Sequence, residues 1–389
     1  KGTGAIVNFN GTIGDINAET IINNAAEFGG YIANVGIENF YYDDQWEYVP
    51  PTPKLAKADD DGRISNPEKY SATIGNISGN IIGNIAINSE AYGGAIYNAY
   101  GQIGDISANF LGNYAKEYIL ESLPTIDVPV VNEEFVSDDT QSYPTHSGGA
   151  IANFNGKIGT ISGDFKDNFA EGAMAVGGAI ANMVQLRSRT QPVIQEWAEW
   201  EDASNIKNIV RLYDAYAERM NIEGSTFDSN YAHSTEDNAY GGAIYNDFYF
   251  EDDRSVYHEY LNDEEWLLSE GYVYMSDEEL QQKIINVKAD AALTLTNTNF
   301  INNHADSDGG RAFGGAIYST GDVNIIAKDG KTSLFSGNTA NGENNAIYMQ
   351  ASIQKTNLLD LINVDPLLPS NLNLTAVDNG VIQFDDVID

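Results

Sequence analysis

Residues 148–182 open with Gly148-Gly149-Ala150-Ile151-Ala152-Asn153 and close with Gly177-Gly178-Ala179-Ile180-Ala181-Asn182, the two glycine pairs standing 29 residues apart. Between them come Ile158-Gly159-Thr160-Ile161 and then Phe165, two residues and Asn168. The six-residue phrase returns as Gly29-Gly30-Tyr31-Ile32-Ala33-Asn34, Gly93-Gly94-Ala95-Ile96-Tyr97-Asn98, Gly241-Gly242-Ala243-Ile244-Tyr245-Asn246 and Gly314-Gly315-Ala316-Ile317-Tyr318-Ser319. Partial copies stand at Gly4-Ala5-Ile6 and Asn345-Ala346-Ile347-Tyr348. One short unit repeated with variable spacers is the signature of a stacked array.

The two companion phrases recur as well. Ile-Gly-x-Ile is found from Ile13, Ile74, Ile103 and Ile158, and an apolar residue followed three places later by Asn at Ile21, Ile81, Phe110, Phe165, Phe227, Phe300 and Phe335. Three short strands per repeat make one coil of a parallel β-helix, in which each strand pairs with its counterparts one turn above and below at about 4.8 Å. About eight coils then form a rod roughly 40 Å long. Because Ile is kept where its neighbours alternate between Ala and Tyr, the interior spine is predicted to run through Ile6, Ile32, Ile96, Ile151, Ile180, Ile244, Ile317 and Ile347. The glycine pairs allow a sharp turn into the strand, and Asn98, Asn153, Asn182 and Asn246 are expected to stack as an amide ladder. A phosphate-binding loop would need one strand-to-helix context and a following Lys, and neither occurs.

Acidic residues number 57 against 20 basic, a formal net charge of −37. Nucleic acid and anionic membrane surfaces require a positive face, so this balance excludes them as partners. With no cysteine, a disulfide framework, a thiolate metal site and a cysteine nucleophile are all ruled out. No apolar run is long enough to span a membrane as a helix. Starting on Lys1 and reaching a strand phrase by Gly4, the chain reads as a processed segment whose targeting signal lies outside it.

The coil is predicted over 1–356, interrupted by insertions at 36–72, 115–146, 184–222 and 247–290, with atypical coils or a cap over 357–389. Three of the insertions leave just after Asn34, Asn182 and Asn246, from one corner, where a repeat protein gathers its binding loops. Deleting 184–222 and 247–290 is expected to leave the coil folded. In the third, Pro192, Ile194, Trp197 and Ala198, followed by Ser204 as a cap for Ile206, Ile209, Val210, Tyr213, Ala217 and Met220, predict a helix pair. The fourth carries Ser276-Asp277-Glu278-Glu279, a capping box, ahead of Leu280, Ile284 and Val287.

Candidate chemistry is sparse. Residues 57–68 align with a calcium loop that would use Asp59, Asp61 and Glu68, but Lys57 stands where an acidic ligand belongs, so an Asx-rich turn without cofactor is expected. Asp306-Ser307-Asp308-Gly309-Gly310 is a second acidic turn. A sugar-cleaving β-helix would pair carboxylates on adjacent rungs, for which the strand phrases offer Asp15, Asp105 and Asp164. His146, His233, His258 and His304 have no nucleophile at a useful offset. Aromatic residues of the insertions, Tyr41, Tyr42, Trp46, Trp197, Trp200, Tyr257, Trp266 and Tyr272, combine large contact area with low entropy cost and are the predicted binding residues.

Gly-Gly-Ala-Ile coupled to Phe-x-x-Asn resembles the repeats of the chlamydial polymorphic outer-membrane proteins and, more broadly, the passenger regions of bacterial autotransporter adhesins. The resemblance implies a secreted, right-handed β-helix, monomeric, displayed at the outer membrane and tethered through a barrel or anchor outside this segment. It further implies a non-enzymatic adhesin binding an extracellular protein or glycan. The chain departs from that pattern in its acidity and in carrying no translocating barrel. A carbohydrate-active enzyme and a purely structural surface stalk are the competing readings.

Overall fold

The computed structural model describes residues 5–26, 28–36, 41–42, 48–49, 72–87, 91–117, 146–192, 208–213, 219–253, 273–352, 354–358, 361–364 and 368–389. The glycine-pair strands form one parallel sheet in the order Ile6–Phe9, Ile32–Val35, Ile96–Ala99, Ile151–Phe154, Ile180–Pro192, Ile244–Asp253, Ile317–Ser319 and Ile347–Met349. Its register pairs Ile6 with Ile32, Ile32 with Ile96, Ile96 with Ile151, Ile151 with Ile180, Ile180 with Ile244, Ile244 with Ile317 and Ile317 with Ile347. The isoleucine spine is therefore a literal column, and from Ile32 to Ile347 its members are 0% exposed. The entry turns need their glycines: the first of each complete pair has φ between 55° and 66°. A Cβ on the second, Gly149, would sit 2.2 Å from the carbonyl oxygen of Gly178 and 2.4 Å from the Phe169 nitrogen.

Two further faces close each coil. The second is a parallel sheet running through Ala25–Ala26, Ile85–Ile87, Tyr114–Lys116, Phe169–Gly172, Tyr231–Ser234, His304–Ser307 and Thr339–Ala340. The third runs through Ile16–Ile22, Ile77–Ile82, Asn109–Leu111, Phe165–Lys166, Thr226–Asp228, Asn299–Ile301, Thr332–Ser336 and Val381–Phe384. Shorter parallel sheets carry the chain around the bends. Inside the third face Phe110, Phe165, Phe227, Phe300, Phe335 and Phe384 are stacked with ring centroids 4.7, 4.7, 4.9, 4.8 and 4.6 Å apart in turn. Isoleucine and phenylalanine columns fill the cylinder.

Two buried amide ladders line its corners. One descends from Asn8 through Asn34, Asn98, Asn153, Asn182 and Asn246, each Nδ2–H donating to the next Oδ1 at 2.7–2.9 Å, and ends on the Ser319 hydroxyl. The other joins Asn24, Asn84, Asn113, Asn168, Asn230, Asn303 and Asn338, and ends on the carboxylate of Asp386. Asn113 shows the saturation: its Oδ1 accepts the backbone and side-chain N–H groups of Asn84, while its Nδ2 donates to Asn168 Oδ1 and to the Ile81 carbonyl. Burial of so many amides is tolerated because none lacks a partner.

The tail supplies one final coil. Leu372–Ala376 pairs with Val323–Ala327, Val381–Phe384 with Thr332–Phe335, and Ile388 bridges to Ile347. Just before it, the hairpin Gln354–Leu358 and Leu361–Val364 leaves the stack to pair with residues 250–253.

That hairpin joins a lateral sheet that corrects the second of the two helices expected in the third insertion; Ile194, Trp197, Ala198, Ser204, Ile206 and Ala217 lie outside the described residues. Strands Ile180–Pro192 and Ile244–Asp253 overrun their coils side by side, in parallel register from Ile180 and Ile244 to Arg189 and Asp253. Instead of a helix, Asn208–Tyr213 is a strand antiparallel to residues 187–192, with Val273–Met275 antiparallel beyond it, while Met220 and Ile222 lie in the coil's core. An overrunning strand offers unpaired backbone groups, and pairing with that edge overrides a helical spacing of apolar residues. Cutting out all of 184–222 would thus remove part of a coil. In the fourth insertion the capping box is formed, with Ser276 accepting from the Glu279 N–H at 3.1 Å and Glu279 accepting from the Ser276 N–H at 2.8 Å, and helix α1 spans Asp277–Asp290. Its Leu280, Ile284 and Val287 pack on Val184, Leu186, Val210, Phe248 and Phe250, a second core beside the coil.

Lys288, only 3% exposed, fastens α1 to the tail: its ammonium donates to the Leu368 and Pro369 carbonyls and to Ser370 Oγ at 3.2, 2.8 and 3.0 Å. Burial lowers its pKa to about 8, opposed by the Asp322 carboxylate.

Two measurements follow from these contacts. Replacing Asn168 by Ala strands an amide above it and a carbonyl below it, so equilibrium urea unfolding should show a loss of about 3 kcal/mol or more. From pH 8 upward the unfolded chain binds a proton at Lys288 that the folded chain has lost, so stability rises with pH through this window. The gain between pH 8 and pH 9.5 should be about 2 kcal/mol in the wild type and absent in Lys288→Met. Above pH 10 the buried tyrosines, Tyr97 raised to about 12 among them, reverse the trend.

Candidate functional site

The strand-phrase carboxylates are occupied by the scaffold. Asp15 Oδ1 accepts the Asn76 N–H at 2.7 Å, Asp105 Oδ1 accepts the Thr160 N–H at 2.8 Å, and Asp164 Oδ1 accepts the Thr226 N–H at 2.8 Å. A Cβ on Gly159 would lie 2.5 Å from Asp105 Oδ1, which explains the glycine of the Ile-Gly-x-Ile phrase: the side chain of the rung before lies across it. These three residues stitch one coil to the next.

Of the predicted binding residues, Tyr41 and Tyr42 form a short antiparallel pair with Val49 and Tyr48. Trp46, Trp197, Trp200, Tyr257, Trp266 and Tyr272 lie outside the described residues, as do Asp59, Asp61 and Glu68. Among the described residues no cluster of His, Asp or Glu is arranged to hold a metal, and no helix is long and apolar enough to cross a membrane.

The side chains that the fold does bring together lie on the outer face of the second sheet. Each strand there follows a ladder Asn and reads X-Ala-Z, with the Ala inside and X and Z outside. Register stacks Tyr114, Phe169, Tyr231 and His304 in one outer column and Lys116, Glu171, His233 and Asp306 in the next. In the aromatic column Tyr114 meets Phe169 edge-on at 5.9 Å, and Phe169 stacks on Tyr231 at 5.1 Å. Across the columns the Tyr231 ring lies flat against the His233 imidazole, 5.6 Å between centroids.

The second column alternates basic with acidic side chain types. Lys116 Nζ is 2.6 Å from Glu171 Oε2, His233 Nδ1 is 3.6 Å from Glu171 Oε1, and His233 Nε2 is 3.3 Å from Asp308 Oδ2. Burial, reinforced by the Asp306 charge and hydrogen bond, pushes the Tyr231 phenol up to about 12. On the third sheet, Lys166 lies against Asp228 at 3.1 Å, and that hydrogen bond and charge raise the lysine pKa. Among the described residues, Asp308 is 70% exposed and Tyr114 38%, while Glu171 and His233 are mostly covered. Both columns are legible as Tyr-Ala-Lys, Phe-Ala-Glu, Tyr-Ala-His and His-Ala-Asp, once the Asn before each is recognised as a ladder position.

No family model, no curated protein and no solved structure matches the chain.

If Asp105 serves structure, Asp105→Asn, which keeps the accepting oxygen, should unfold at the wild-type urea midpoint. Asp105→Ala should lose about 1 kcal/mol.

Proposed function

We propose that the chain is a non-enzymatic adhesin of the passenger type, displayed at a bacterial cell surface and binding an extracellular protein or glycan. The observation that carries this reading is the lateral sheet. Two consecutive coil strands extend beyond the cylinder as one paired unit, covered by α1, and the third and fourth insertions depart from their ends. A stalk alone has no use for a second core, and recognition sites are commonly built on loops positioned by a rigid scaffold. The commitment of Asp15, Asp105 and Asp164 to backbone N–H groups weighs against the enzyme reading, which needs two free carboxylates facing one substrate. Tethering, on this view, comes from a barrel or anchor outside the segment, and the rod acts as a monomer.

The test is to present the purified chain, coupled to beads, to arrays of glycans and extracellular-matrix proteins, and in parallel to incubate it with neutral and acidic polysaccharides. Saturable binding without product release is expected. Release of product that disappears in Asp105→Asn or Asp164→Asn would make it an enzyme. Lateral self-association with no binding to any array member would make it a stalk.

A further inference from the structure

The protein has two apolar interiors that share no side chain: the cylinder of isoleucine and phenylalanine columns, and the lateral core under α1. The lateral core is the smaller. One of its buried members, Leu368, is contributed by the tail, far along the chain from Val184, Leu186, Phe248 and Phe250 on which the core is built. A small core depends on every such contribution.

The tail reaches that position as a closed loop. Ser352 and Leu368 exchange backbone hydrogen bonds, the Ser352 N–H donating to the Leu368 carbonyl at 2.9 Å and the Leu368 N–H to the Ser352 carbonyl at 3.2 Å. Between them the hairpin Gln354–Leu358 pairs with residues 250–253 of the lateral sheet. Beyond them Leu368, Pro369 and Ser370 receive the Lys288 ammonium from α1, and the Asn371 N–H donates to Asp322 at 3.0 Å. The tail thus grips the lateral sheet and its covering helix at once.

Where the two interiors meet, the joint is polar. Thr320 accepts the Phe248 N–H on its hydroxyl at 2.7 Å, and its carbonyl accepts the Ser352 hydroxyl at 2.6 Å. Water can take over hydrogen bonds of this kind when a joint parts, but it cannot compensate for exposure of the apolar columns within the cylinder. Parting is easiest at the joint.

We propose that Ser352 and residues 368–371 form a clasp: while it is closed the lateral sheet and α1 are held together, and its release opens them as one unit with the cylinder still folded. The proposal does not rest on the adhesin reading, which the binding arrays test separately.

The experiment is native-state hydrogen exchange of the full chain, read by mass spectrometry across a series of urea concentrations below the unfolding transition. In the wild type, peptides covering 184–188, 248–252 and 277–290 should share one opening, with a weaker urea dependence than peptides covering 96–99, 110–111 and 151–154. Leu368→Ala should speed exchange in all three lateral peptides together, about thirtyfold or more, and leave the three coil peptides unchanged. Ser352→Ala should act on the same peptides by about fivefold. Ile151→Val, inside the cylinder, should not move the lateral peptides. A single opening common to lateral and coil peptides would overturn the proposal, as would a response to Leu368→Ala confined to 277–290. Should Leu368→Ala fail to fold, the wild-type urea series and Ser352→Ala decide on the same criteria.

Discussion

Vertical register is the constraint on which the rest of the structure depends, and the buried amides enforce it more strictly than the apolar columns do. An isoleucine or phenylalanine column tolerates a slip that brings another apolar residue over the interior. An asparagine in a closed ladder does not. Shift one coil by a single residue and Asn168, 0% exposed, loses partners above and below at once, at about 1–3 kcal/mol for each stranded group. Hydrophobic burial makes the cylinder stable, while the ladders decide which residue sits over which. Everything outside the cylinder inherits its geometry from that choice.

The lateral sheet shows the inheritance. Ile180 and Ile244 are locked over one another by the spine, and Asn182 over Asn246 by the ladder, so two strands leaving after them emerge already paired. Continuing the same alternation places Val184, Leu186, Phe248 and Phe250 on the interior side, where no coil remains to cover them. Helix α1 supplies that cover. Thr320 anchors the exit, accepting from the Phe248 N–H at 2.7 Å and donating to Asp247 at 2.6 Å, and burial holds this aspartate's pKa above the ordinary range. The outgrowth is a continuation of the coil's logic, which is why excising it by sequence position would cut into Met220 and Ile222.

What could be read from the chain beforehand follows the same division. The isoleucine spine, the Asn98–Asn153–Asn182–Asn246 ladder and the Ser276 capping box depend on residues close in sequence or on one repeated phrase, and each is in place as expected. Residues 208–213 suit a helix by the spacing of Ile209, Val210 and Tyr213, yet they form a strand, in which Val210 is buried in the second core. The edge of the overrunning strand decides between them, and that edge exists only after the coil has folded. Glu171–His233 and Lys288–Leu368 are illegible for a related reason, since their partners lie 62 and 80 residues apart across insertions of unequal length.

The same hierarchy bears on where function can reside. A coil that spends its interior on apolar columns, its corners on amide ladders and its strand-phrase carboxylates on backbone N–H groups has little chemistry left on the elements that repeat most faithfully. Freedom remains at the outward positions of each strand. There stacking still imposes a period of one side chain per coil but leaves its identity open, as Tyr114, Phe169, Tyr231 and His304 show beside Lys116, Glu171, His233 and Asp306. A surface of this kind is a ruler whose graduations can be changed singly without disturbing the rod, because each side chain points away from the columns that fix the register. Long, periodic ligands are the ones such a ruler discriminates best, since a mismatch in repeat accumulates with every coil while a match adds one more equivalent contact.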